Sequence, residues 1–120
     1  MLNGFEQQTE PLTYYERERL LPVIVCGLRH HVGESQAVTN STIVKSLASL
    51  GYDVNAARVR KVINHIRIND IVKCLVATSK GYYIATDAAT MRKYINTLKG
   101  REGAIRAVRI SMERQMARMN

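Results

Sequence analysis

Between Ala57 and Arg67 the chain sets small, cationic and amide side chains at helical spacing. At 100° per residue, Ala57, Arg60, Lys61 and Asn64 share one face, opposite an apolar arc of Val59, Val62, Ile63 and Ile66. These polar types are the ones that reach guanine and adenine edges in a major groove. Arg58, His65 and Arg67 border that face, where side chains meet phosphates. Further on, Lys80 stands beside Gly81 in a turn between two β-branched and aromatic runs, placed to bring one more cation to the backbone or the adjacent minor groove. The chemistry open to this set is recognition of double-stranded DNA.

Catalysis has no comparable set. The ten acidic residues are scattered, without the D-x-D, D-x-x-E or E-x-K spacing that holds a divalent metal. Gly81 stands alone, and Gly100 and Gly103 fall in a helical pattern, so there is no glycine-rich phosphate loop. The expectation is a protein that is not an enzyme, with no catalytic residues and no cofactor. Cys26 and His30, four apart, with His31 adjacent and Cys74 elsewhere, can be written as a zinc set only if Cys74 folds back onto that helix face. Core thiols are the reading adopted, and no metal is expected.

The elements that must position these residues follow from pattern. Residues 1 to 12 lack periodicity and read as a mobile arm. Thr13, with Glu16 three residues on, is a capping box for a first helix from Tyr14 to about His31, burying Leu20, Ile24 and Leu28, kinked at Pro22 and closed by Gly33. Thr39 or Asn40 caps a second helix whose inner face is Ile43, Val44, Leu47 and Leu50, with Gly51 as its stop. Asp53 or Asn55 caps the basic third helix. A ribbon from Ile71 to Ala77 and Tyr82 to Thr86 follows, its tyrosines 82 and 83 on opposite faces. Asp87 then caps a last helical region from Ala88 to about Met119. Here Met91, Leu98, Ile105, Met112 and Met119 recur every seven residues, joined by Tyr94, Ile95, Val108 and Met116. Gly100 and Gly103 leave open one helix or two.

The order helix, helix, basic helix, hairpin predicts an α+β, mostly helical fold: a winged helix-turn-helix over residues 13 to 87 with a C-terminal helical extension over 88 to 120. The net charge of +8 is uneven, at −2 for residues 1 to 53, +5 for 54 to 86 and +6 for 88 to 120. Positive charge gathered on particular elements is the footprint of a polyanion binder. No membrane-length apolar run and no basic, apolar leader appear, and two cysteines suit a reducing compartment, so a cytoplasmic protein without membrane contact is expected.

With these elements in place, RVRKVINHIRINDIVKCLVATSKGYYIAT resembles small winged-helix proteins encoded by phages and other bacterial mobile elements. In those, a similar R-V-R-x-x-I-N-H-I-R segment precedes a hairpin ending in S-x-G-Y-Y. The resemblance spans about residues 13 to 117, including the closing REGAIRAVRISMERQ. It implies DNA binding by Arg58, Arg60, Lys61, Asn64 and Lys80 in a bacterial host cytoplasm. The expected function is sequence-specific duplex binding by a transcriptional regulator or DNA-organising factor, homodimeric through the C-terminal helix. The alternatives are a phage interaction module that binds and inhibits a host protein, or a replication or packaging accessory factor.

Overall fold

A computed structural model describes residues 10–119. Most of the arm expected at 1 to 12 lies outside the described residues. The chain divides into two compact units, one ending at Thr86 and one beginning at Asp87. The first is α+β and mainly helical, and the second is a single helix.

The first unit begins with the expected capping box. The Thr13 N–H donates to Glu16 Oε1 at 2.9 Å, and the Glu16 N–H donates to Thr13 Oγ1 at 3.2 Å. A π-helical turn, Glu16–Leu20, runs on into α1, Leu21–Leu28. The wide turn sits where Pro22 demands it. Proline has no amide hydrogen, and its ring crowds the carbonyl four residues back, so the Leu21 N–H reaches five residues to Glu16 O. Leu20, Ile24 and Leu28 are buried as their spacing requires. The helix stops at Leu28, short of His31, because the chain from His31 onward pairs with the hairpin instead.

Helix α2, Asn40–Ser49, is capped by Thr39, whose side chain accepts from the Thr42 N–H, and Gly51 follows it at φ +91°. Leu47 is buried and Ile43 and Val44 pack on the core, but Leu50 is 70% exposed, contrary to its expected inward position. At the C-cap the backbone leaves helical geometry (ψ 1°), so Leu50 no longer follows the stripe. Helix α3, Ala56–Ile68, is capped by Asn55, which accepts from the Arg58 N–H at 2.8 Å. Val59, Val62, Ile63 and Ile66 are at most 1% exposed and form the centre of one core with Leu20, Ile24, Leu28 and Leu47.

Strands β1, Leu75–Thr78, and β2, Gly81–Ile84, pair antiparallel with Val76 opposite Tyr83 and Thr78 opposite Gly81. The ribbon starts later than Ile71 because Asp70 and Cys74 take left-handed backbone conformations, φ 55° and 62°, which break an extended run. Tyr83 is buried and Tyr82 half-buried. The other edge of β2 is also used, a pairing the sequence pattern did not reveal. Val38 and Tyr82 exchange backbone hydrogen bonds at 3.0 and 2.8 Å, and Gly33 N–H and His31 O engage Ile84 at 2.9 and 2.8 Å. Gly81, at φ +118°, permits this approach, since a Cβ there would lie 2.4 Å from Val38 O. Both cysteines are exposed rather than in the core: Cys26 lies on the outer side of α1 and Cys74 in the turn before β1.

In the second unit, α4 runs unbroken from Ala88–Ala117, about 45 Å at 1.5 Å per residue. Asp87 caps it by accepting from the Thr90 N–H at 2.7 Å. Gly100 and Gly103 are helical residues within it. No described helix is long and apolar enough to cross a membrane.

Candidate nucleic-acid interface

The eight residues singled out in the sequence fall in two kinds of surroundings. The N-terminal end of α3 faces Glu16, which is only 4% exposed although acidic. Its Oε1 accepts from Lys61 Nζ at 2.7 Å as well as from Thr13, and its Oε2 accepts from Arg58 Nε at 2.9 Å. Burial alone would raise the Glu16 pKa, but the Lys61, Thr13 and Arg58 donors outweigh it and hold the carboxyl at about 2, against a usual 4.5. Arg58 is committed further. Its Nη1 donates to Asp53 Oδ2 and to Asp53 O, both at 3.1 Å, and its guanidinium lies 5.0 Å above the Tyr15 ring. The Tyr15 hydroxyl in turn accepts from the Asp53 N–H at 2.8 Å.

Lys61 was expected on the outward face and is instead 7% exposed. The wheel placed it opposite the apolar arc, but the first helix overhangs that end of α3, and its long stem folds under to reach Glu16. Arg58, expected at phosphates, holds the first helix to the start of α3 through Glu16 and Asp53. Ala57 is half-buried beside them, in a recess of about 210 Å³ lined also by Glu10, Glu16 and Asn55.

A different line of side chains on α3 starts at Arg60, between Arg58 and Lys61 in the chain. Arg60 is exposed, and Asn64 and Arg67 are half-buried. Their spacing of i, i+4 and i+7 puts them on one line along the helix. His65 is half-buried at the C-terminal turn, where Asn69 Nδ2 donates to its carbonyl at 2.9 Å. Lys80 is exposed at the hairpin tip, with its Nζ donating to Glu34 Oε1 at 2.6 Å and its pKa raised by that pair. Both partners are well exposed, so solvent weakens the pair and a phosphate can compete for the ammonium.

Sequence reasoning missed Glu16 as the organiser of this end of α3. The capping box was legible, but partners 42 and 45 residues away leave no local signal. It also missed Asn40, whose Nδ2 donates to Ala56 O at 3.1 Å and ties α2 to the first turn of α3. Among the described residues, no three of His, Cys, Asp and Glu are grouped to hold a metal. Comparison with protein-family models, curated proteins and solved structures gave no match.

Proposed function

We propose that this chain is a winged-helix protein that reads duplex DNA with α3, acting as a transcriptional regulator or DNA-organising factor of a phage or other mobile element. The observation that carries the reading is the line of Arg60, exposed, with Asn64 and Arg67, half-buried, on a helix whose Val59, Val62, Ile63 and Ile66 face is fully buried. An arginine fork suits guanine and an asparagine amide suits adenine, and both ride on a helix fixed at its start by Asn55, Asn40 and the Glu16 cluster. Lys80 extends the cationic surface onto the hairpin, where it contacts a phosphate.

The test is selection of retained fragments from a random duplex pool, followed by titration of the selected site. Asn64→Ala relaxes preference at one base pair by about 1 to 3 kcal/mol. Lys80→Ala weakens all duplexes alike and lowers the slope of log K against log salt by about 1. A parent that enriches no sequence, or an Arg60→Ala, Asn64→Ala double variant that binds every duplex like the parent, overturns the reading-helix assignment.

A further inference from the structure

Helix α4 carries an apolar face that nothing within its own unit covers. Leu98, Ile105, Val108, Met112 and Met116 lie within a narrow arc at 100° per residue, and all five are exposed, Ile105 at 69% and Met116 at 66%. We propose that this face pairs with the same face of a second copy of this chain, forming a two-helix seam.

The spacing selects the occupant. Met91, Leu98, Ile105, Met112 and Met119 recur at seven, a period of 3.5, whereas a straight helix turns every 3.6 residues. A seven-residue repeat therefore drifts about 20° per heptad, or about 60° over the three intervals from Met91 to Met112 that lie within the helix, unless the helix winds around a partner. A helix lying alone on a membrane surface has no use for that period. A partner recognised by charge would take the cationic face formed by Arg92, Lys99, Arg106 and Arg114, which is on the other side. Thr90, Thr97, Ala104 and Ser111 each precede a seam residue, so one flank is made mostly of small side chains, with Lys93 at its rim, and lets a second backbone approach.

The area is sufficient for a modest dimer. Five side chains of this kind bury on the order of 60 to 120 Å² each, or about 300 to 600 Å² per copy, at the lower end for a specific interface. Self-association in the micromolar range follows. Arg101 falls inside the arc and must run its stem along the seam to keep its charge in water. It is therefore the residue whose replacement strengthens pairing.

The proposal stands apart from the DNA reading and is tested on the full chain without DNA. Sedimentation equilibrium is run with a reductant, because Cys26 and Cys74 are exposed thiols. The parent is expected to be dimeric at tens of micromolar, Met112→Lys to dissociate at least tenfold more readily, and Arg101→Leu to associate at least tenfold more tightly. Tightening cannot come from misfolding avoided or incurred if the circular dichroism of both variants matches the parent. A parent that is monomeric at 100 µM overturns the proposal, as does a dimer indifferent to both substitutions. Binding of a monomer to phosphatidylserine vesicles through the Met112 face also overturns it.

Discussion

Arg60 and Lys61 are chain neighbours of like charge, and the fold uses them in opposite ways. Lys61 lies in the interior with its ammonium 2.7 Å from Glu16, while Arg60 projects from the same helix into solvent. The same division is one of faces on α3, with Arg58 and Lys61 tied to the first helix and, on another line, Arg60 exposed and Asn64 and Arg67 half-buried. Cationic residue type therefore does not say which side chains on this helix face solvent. What sets Lys61 apart from Arg60 is the Glu16 carboxylate that the first helix brings to it.

Breaking the buried side has the largest effect. Glu16→Ala leaves the Lys61 ammonium without its counter-charge, the Thr13 N–H without its acceptor, and one of the two carboxylates that hold Arg58 gone. A loss of about 3 to 5 kcal/mol in denaturant unfolding is expected. A loss below about 1 kcal/mol would mean that the cluster is solvated and that Lys61 is free to reach outward.

Acid sharpens the comparison with no substitution at all. A carboxyl held at about 2 in the fold and near 4.5 in the unfolded chain contributes its full stabilisation above pH 4.5, and that contribution is lost as pH falls toward 2. At 1.36 kcal/mol per pH unit the gap is worth about 3 kcal/mol, to order of magnitude. The parent should therefore lose stability between pH 5 and 2 more steeply than Glu16→Gln. Parallel curves for the two proteins would assign the acid sensitivity elsewhere.

The division explains what was legible in the sequence. The stripe of Val59, Val62, Ile63 and Ile66, the capping box at Thr13, the cap at Asp87 and the glycine beside Lys80 depend on neighbours within a few residues, and pattern alone located them; it narrowed the other two caps to Thr39 or Asn40 and Asp53 or Asn55, which the fold decides for Thr39 and Asn55. Lys61, Leu50 and the two cysteines were misplaced, because their surroundings come from segments distant in the chain or from a cap where the helical period ends. The pairing of Val38 with Tyr82 was missed for the same reason. A single residue bridging to a strand edge has no alternation to display.

The smallest expected effect falls on the other side of the comparison. Arg60 is exposed, and its removal uncovers no buried partner, so Arg60→Ala should change unfolding stability by no more than about 0.5 kcal/mol. Lys61→Ala, one residue along, removes a charge-assisted hydrogen bond from a buried carboxylate and should cost about 1.5 to 3 kcal/mol, with Arg58 and Thr13 still in place to limit the loss. Duplex affinity should rank the pair in reverse. At a temperature where both variants stay folded, Arg60→Ala weakens binding to the selected site, and Lys61→Ala leaves it near the parent value. If Lys61→Ala instead costs affinity with no loss of stability, the ammonium leaves Glu16 when DNA arrives, and the buried ion pair is a latch opened by phosphate.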